Sequence, residues 1–450
     1  MTQSENRVLK ERYPEITQNE IKAALDFACA QNQKNLKPFT KQIPMPYGEV
    51  VETGRGQGHF YRPMANTDWT AGFWPGEVWL SYEYSREGAF RRAGEVLMDS
   101  FLQRIEQKIE VDHHDMGFLY TPSCVAGYRL TGSEAGRRAA LKAADQLVSR
   151  FQEKGGFIQA WGPMDAPDNY RLIIDCLMNL PLLYWAAGET GEYKYEDIAL
   201  RHTKATLDNV VRDDFSTWHT FFFDRGTGKP HHGETCQGYR NGSAWARGQA
   251  WGIYGTALAY RYTGDAHYID LFRGITGYFL DHLPLDLVPY WDLEFTDGSG
   301  EPKDSSSASI AACGLLDMAC WLGMGEGEGE AQTQEETYYG AKAASFTPGD
   351  GRPWVPDRLH WESAVWEEDS DKVEAAMYTR FAKQIMKSVY DNYAVKDSAL
   401  SNGLVLHSTY SNHSPYNTCN HCGVDTCNLF GDYFYMEALR RLWGPWESWW

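Results

Sequence analysis

The sequence predicts an all-α chain folded as one closed ring of helical hairpins, an (α/α)6 barrel of six inner and six outer helices. Three observations lead there. The segments "YRLTGSEAGRRAALKAADQLV", "AAGETGEYKYEDIALRHTKATL" and "AYRYTGDAHYIDLFRGITGYFL" share one pattern: a helix, a Thr-Gly stop, then an amphipathic helix. Gly132, Gly191 and Gly264 are the expected left-handed residues that end one helix before the next begins. The 3.6-residue apolar period gives twelve helices, near 18–34, 73–85, 88–110, 116–130, 134–154, 173–188, 194–212, 243–262, 266–283, 305–322, 373–391 and 430–442. The last of these, "GDYFYMEALRRLW", is apolar and aromatic, which suits closure onto the first inner helix better than the polar cap of an open solenoid.

The 450 residues allow one large domain or two ordinary ones, and the continuous hairpin rhythm favours a single domain over 1–450. Strand signals are few, near "FTDGSGEP" and "LVLHST". One stretch breaks the rhythm. Residues 323–372, with "GMGEGEGEAQTQEETYYGAKAASFTPGDGRP", are rich in Gly, Glu, Gln and Thr and read as an inserted surface loop. No apolar stretch reaches the length of a membrane span on this reading. The opening "MTQSENRVLKERYPEI" has no apolar core of a secretory signal. Nine cysteines, mostly single and in apolar settings such as "DFACAQ", fit reduced thiols and a cytoplasmic location.

Composition narrows the function. A net charge of −19 argues against nucleic acid, because phosphate binding needs basic surface. Aromatic residues make up 14% of the chain, with 17 Trp and 27 Tyr. Part of that is core, and part suits sugar faces, whose C–H groups stack on rings with polar edges.

The chemistry-bearing residues stand at or just before helix starts, which an α/α ring gathers at one mouth. In "RLIIDCLMNLPLLYWAAG" Asp175 sits among apolar residues. It is either a helix-capping carboxylate or an acid whose pKa burial raises so that it can deliver a proton. "DHHDMGFLYTPS" carries His113, His114, Asp115 and Phe118. "IQAWGPMDAPDNY" carries Trp161, and "NTDWTAGFWPGEVW" carries Trp69 and Trp74. In "HHGETCQGYRNGSAWARGQAWGIYG" stand Gln237, Arg247 and Trp251, the last two one helical turn apart. Arg247 also reads as a structural partner for a buried acid. The paired histidines lack metal-ligand spacing such as HExxH. "CNHCGVDTC" brings Cys419, Cys422 and Cys427 beside His421, which reads as free thiols, a strained disulfide or an incomplete zinc site.

Together, "DWTAGFWPGEVWL", "HDMGFLY", "IIDCLMNLPLLYWA", "SAWARGQAWGIYG", "VPYWDLEF", "DSSSASIAACGLL" and "GDYFYMEAL" resemble the unsaturated glucuronyl hydrolases of glycoside hydrolase family 88. The resemblance runs over nearly the whole chain. It implies the (α/α)6 barrel and removal of a 4,5-unsaturated uronic acid from the non-reducing end of lyase-generated glycosaminoglycan fragments, typically disaccharides. It further implies that Asp175 is the acid/base and Asp115 its ionised companion. Hydration of the vinyl ether follows: a proton to C4, water to C5, then a hemiketal that opens and expels the neighbouring sugar. Trp69, His114, Phe118, Trp161, His219, Gln237, Arg247 and Trp251 match sugar-contacting positions, with Arg247 the expected partner of the substrate carboxylate. No metal or other cofactor is implied.

The family members that accept sulfated sugars look like Ser-x-x-Ser-x-Lys near the C-terminus, where this chain reads "YSNHSPYN". Ser411 and Ser414 match and Tyr416 replaces the lysine, so unsulfated or differently sulfated substrates are expected. The alternatives are an unsaturated rhamnogalacturonyl hydrolase on pectin fragments, a sugar 2-epimerase on the same barrel, and a non-catalytic sugar-binding barrel.

Overall fold

The computed structural model describes residues 13–323 and 368–450. Its helices alternate between two kinds. Six are buried nearly all round: α2 (Phe73–Ser85), α4 (Met116–Tyr120, a π-helical turn Thr121–Val125, then Ala126–Thr131), α6 (Pro181–Thr190), α8 (Ala246–Thr263), α10 (Ser305–Gly323) and α12 (Leu429–Trp443). Six others bury one stripe only: α1 (Gln18–Phe39), α3 (Gly88–Glu106), α5 (Glu134–Val148), α7 (Tyr193–Val210), α9 (His267–His282) and α11 (Glu368–Ser388). A helix apolar on every face needs neighbours on every face, so the first set forms an inner ring and the amphipathic set wraps it.

The ring closes. Each inner helix, or the turn that leads into it, touches the next, and α12 packs against both α10 and α2. Gly132, Gly191 and Gly264 end their helices with φ of 72°, 73° and 66°, as the Thr-Gly stops predict.

Three expectations need adjustment. Residues 324–367 of the proposed 323–372 loop lie outside the described residues, while Gly323 closes α10 and helix resumes at 368. The segment Ser305–Gly323 is, at 19 residues, long and apolar enough to cross a membrane by length and composition. It is apolar because the ring encloses it, and 78% of its apolar window is buried. The strands are also elsewhere. "FTDGSGEP" and "LVLHST" hold no named strand, only isolated bridges such as Ala394 with Val405. The hairpin Glu49–Thr53 with Gly56–Phe60 and a three-stranded antiparallel sheet are the largest β elements. That sheet joins Arg171–Ile173, Thr220–Phe223 and Pro230–Glu234, with Ile173 opposite Thr220 and Arg171 opposite Phe222.

An aromatic column fills the barrel axis. Trp69 stacks on Phe430 at 5.7 Å, and Phe118 lies 5.5 Å from Trp69 and 5.2 Å from Trp251. Trp450 closes the column, 5.9 Å from Phe434, with its indole N–H donating to Glu437 at 2.7 Å. Trp74 is core as well, its indole N–H donating to the Phe39 carbonyl at 2.9 Å.

Candidate active site

Asp175 lies in a 3-10 turn, Ile174–Met178, between the strand Arg171–Ile173 and α6. The N-cap position of the turn is Ile173, while the Asp175 carboxyl accepts hydrogen bonds from its own amide and that of Cys176, so local capping accompanies the burial of the acid. Asp115 precedes α4, one ring position back. Two contacts hold these turns together. The Asn179 side-chain oxygen accepts from the Phe118 amide at 2.8 Å. Gly117 lies so near Asn179 that an added Cβ would sit 2.3 Å from its Cα, so only glycine allows this approach. Arg150, fully buried, ties the flanking loops by donating to the carbonyls of Asp112 at 3.0 Å, Gln159 at 2.9 Å and Gly162 at 3.0 Å.

One donor or acceptor atom from each of His114, Asp115 and Asp175 falls within 4.8 Å of the others. His114 Nε2 stands between the acids, 3.3 Å from Asp115 Oδ1 and 3.6 Å from Asp175 Oδ1. His113 Nδ1 lies 3.0 Å from the other Asp115 oxygen.

The two carboxyls are driven apart electrostatically. Burial raises Asp175 well above the usual carboxylate range, the charge of Asp115 adds to this, and Arg247 pulls back only in part. Burial also disfavours charge on Asp115, but His114 and His113 outweigh it and hold Asp115 below its ordinary value. Burial pushes His114 down to about 4, against the attraction of Asp115. The surroundings thus favour the protonated form of Asp175, the ionised form of Asp115 and the neutral imidazole of His114. The same three residues have the donor types and spacing of a metal-ligand set, and an ion bound there would displace the Asp175 proton.

Asp175 Oδ1, His114 Nδ1 and His219 Nε2 are among the buried polar atoms that have no hydrogen-bond partner. A buried polar atom without a protein partner is an open position for a ligand group. His219 Nδ1 accepts the Cys236 amide at 3.2 Å, which leaves its proton on Nε2 as an unused donor. Burial drives His219 down to about 3, so it stays neutral.

The remaining candidates divide. Trp69 is half-buried, its indole N–H donating to the Tyr410 hydroxyl at 2.8 Å. Trp161 is 36% exposed, with its ring edge-on to His114 at 5.9 Å. Gln237 is half-buried, and its amide oxygen accepts from Arg247 at 3.0 Å. These three side chains reach solvent at the mouth. Phe118 and Trp251 do not: at 0% and 1% exposure they lie in the aromatic column behind the site.

Arg247 is fully engaged within the protein. Its terminal nitrogens donate to Asp304 at 3.0 Å, to the carbonyls of Thr409 and Tyr410 at 2.6 Å each, and to Gln237. All four terminal N–H groups are engaged, so no bidentate fork is left for a substrate carboxylate. Here the buried-partner reading holds, and Asp304, itself bound by the Ser307 hydroxyl at 2.7 Å, is the acid. Ser411 and Ser414 are likewise tied, their hydroxyls donating to the carbonyls of Asn420 at 2.8 Å and Tyr239 at 2.6 Å. All nine cysteines are free thiols. Cys427 is buried against Gly403, whereas the Cys419 thiol donates to the Cys236 carbonyl at 2.7 Å.

Sequence reading missed Asn179, Arg150 and Asp304, which position the site, and Arg171, whose guanidinium lies 4.8 Å over the Trp161 ring. Only Arg171 left a signal, four residues before Asp175.

An inner-helix mouth with two carboxyls pushed to opposite pKa shifts beside the half-buried Trp69 and the exposed Trp161 has the make-up of a carbohydrate-active α/α-barrel glycosidase. Glycosyl Hydrolase Family 88 matches residues 49–282. The chain is 42% identical over 437 residues to the unsaturated chondroitin disaccharide hydrolase of Streptococcus pneumoniae, covering 97% of this chain and 95% of that one. The crystal structure of the unsaturated glucuronyl hydrolase from Streptococcus agalactiae superposes with a TM-score of 0.82 at 40% identity, covering 99% of this chain and 97% of the other. A mutant of that enzyme complexed with dGlcA-GalNAc6S superposes with a TM-score of 0.75 at 37% identity over the same shares. The chain belongs to glycosyl hydrolase family 88.

Proposed function

We propose that this glycosidase removes the 4,5-unsaturated uronic acid from the non-reducing end of chondroitin-type disaccharides left by a lyase. The observation that supports this most is the split acid pair beside three unpartnered polar atoms. Asp175 gives its proton to C4 of the C4=C5 bond, and positive charge develops at C5 and the ring oxygen. Asp115, ionised and 3.3 Å from His114, stabilises that charge. The Asp175 carboxylate then takes a proton from water as the water oxygen bonds to C5, which restores the acid. The hemiketal opens and expels the neighbouring sugar. His219 Nε2–H and the Gln237 amide supply neutral donors to the uronide, and Trp69 and Trp161 supply ring faces.

The Ser411–Tyr416 loop offers no lysine or arginine and both its serine hydroxyls are bound to carbonyls, so substrates unsulfated, or sulfated where that loop does not reach, are preferred. Chondroitin-type disaccharides are favoured over pectin fragments by the relatives' names, and a split pair of carboxyls is not the paired catalytic histidines of an epimerase. The test incubates the protein with unsaturated chondroitin and unsaturated rhamnogalacturonan disaccharides and follows the ultraviolet absorbance of the C4=C5 bond. Loss with chondroitin is expected; loss with rhamnogalacturonan alone, or with neither, contradicts the reading.

A further inference from the structure

We propose that Arg171 is the specificity-determining cation of the mouth and takes a sulfate ester on the leaving-group sugar. This rests on the uronide-cleaving reading above.

Arg171 opens the strand that leads into the Asp175 turn. Its guanidinium lies over the Trp161 ring at 4.8 Å and over the cross-strand Phe222 ring at 5.4 Å. Its Nε donates to Asn169 Oδ1 at 2.9 Å, and the Asn169 amide donates in turn to the Trp161 carbonyl. The guanidinium is thus a plate held against the exposed indole, with its orientation fixed before any ligand arrives.

Its charge, however, is unmatched. Arg247 pairs with Asp304 and Arg150 with Asp112, whereas no carboxylate pairs with Arg171 among the described residues. One terminal nitrogen faces the Cys236 sulfur at 3.7 Å, a weak acceptor. Its field reaches the site, since it helps hold both His114 and His219 neutral. In a chain of net charge −19 a half-buried, unpaired guanidinium at the mouth is a local attractor for an anion.

Its position favours the leaving sugar. Trp161 is the exposed ring beside the acid pair, and the Cys236 backbone accepts from Cys419, on the loop that carries Ser411 and Ser414. That loop has both serines tied to carbonyls and Tyr416, 62% exposed, in place of a lysine. Arg171 therefore supplies, from the Trp161 side, the cation that the loop lacks. A planar fork of N–H donors matches two oxygens of a sulfate ester.

The test measures kcat/KM for the unsulfated unsaturated chondroitin disaccharide and its singly sulfated isomers, with wild type, Arg171→Gln, Arg171→Lys and Tyr416→Lys. For at least one isomer, Arg171→Gln is expected to lower the sulfated-to-unsulfated ratio about tenfold or more, through KM, as loss of a charge-assisted bond should. Arg171→Lys keeps part of the ratio, and Tyr416→Lys does not change which isomer is preferred. A ratio that Arg171→Gln leaves within about twofold of wild type overturns the proposal, because a lost anion contact should cost more. That holds also where all substrates fall together, since Arg171 then serves the uronate carboxylate or Trp161 alone. Equal ratios for the Gln and Lys variants, or a wild type without preference, overturn it too. A wild type that consumes none of these disaccharides instead sinks the reaction assigned above, and this proposal with it.

Discussion

His114 Nε2 lies 3.3 Å from Asp115 Oδ1 and 3.6 Å from Asp175 Oδ1, so one imidazole edge separates two acids whose surroundings shift their pKa values in opposite directions. The asymmetry comes from the surroundings. Asp115 has His113 on its far side at 3.0 Å, whereas Asp175 Oδ1 has no hydrogen-bond partner. The ionised acid therefore has the contacts that favour charge, and the acid with an unpartnered oxygen keeps its proton.

Replacement of either acid separates their roles. Asp175→Asn removes the transferable proton and should lower kcat by about 10²–10⁴. Asp115→Asn removes only charge and should cost less. Steady-state assays on the unsaturated disaccharide check both; an Asp175→Asn variant within about tenfold of wild type contradicts the acid role.

The pH dependence has a fixed sign. Activity should fall on the alkaline side as Asp175 loses its proton, and on the acid side as Asp115, held below its ordinary value, gains one. Stability follows separately. A folded-state pKa raised above the unfolded value contributes stability below the unfolded pKa and loses it as pH rises through the folded pKa. Asp175→Asn removes that loss, so its Tm advantage over wild type should widen as pH rises above the ordinary carboxylate range. A constant or shrinking difference in thermal melts counts against a buried, proton-holding Asp175.

Arg247→Met should destabilise the fold by about 3–5 kcal/mol, because it leaves Asp304 charged and buried without its partner. Adding Asp304→Asn should recover part of that loss, which urea unfolding of the single and double variants measures. Additive losses would show that the two residues do not act as a pair.

Gly117→Ala tests the approach of the two turns. A methyl 2.3 Å from the Asn179 Cα must push the Asp115 and Asp175 turns apart. Overpacking of this kind costs about 1–3 kcal/mol. A fall in kcat well beyond the change in Tm is expected, and unchanged kcat shows that the spacing of the acids is not critical.

Sequence periodicity located the twelve helices of the ring among the described residues, because inner and outer helices differ in whether apolar residues cover every face or one stripe. The Thr-Gly stops were legible for the same local reason, a left-handed residue that glycine serves best. The run from 173 to 188 was read as one helix, yet it is a strand end, a 3-10 turn and a helix. Apolar runs alone do not separate these, and the pairing partner Thr220–Phe223 is distant in sequence. The acid pair could be named from motifs. What occupies Arg247 could not, since Asp304, Thr409 and Tyr410 reach it only through ring closure. Phe118 and Trp251 look like sugar platforms by residue type, and only the packing shows them sealed inside the column.

The measurement closest to the central claim is the infrared difference spectrum of wild type minus Asp175→Asn at neutral pH. A protonated-carboxyl band, fading only as pH rises well above the usual carboxylate range, is the predicted result for Asp175. The corresponding difference for Asp115→Asn should show an ionised carboxylate. An ionised-carboxylate band for Asp175 at neutral pH contradicts the account.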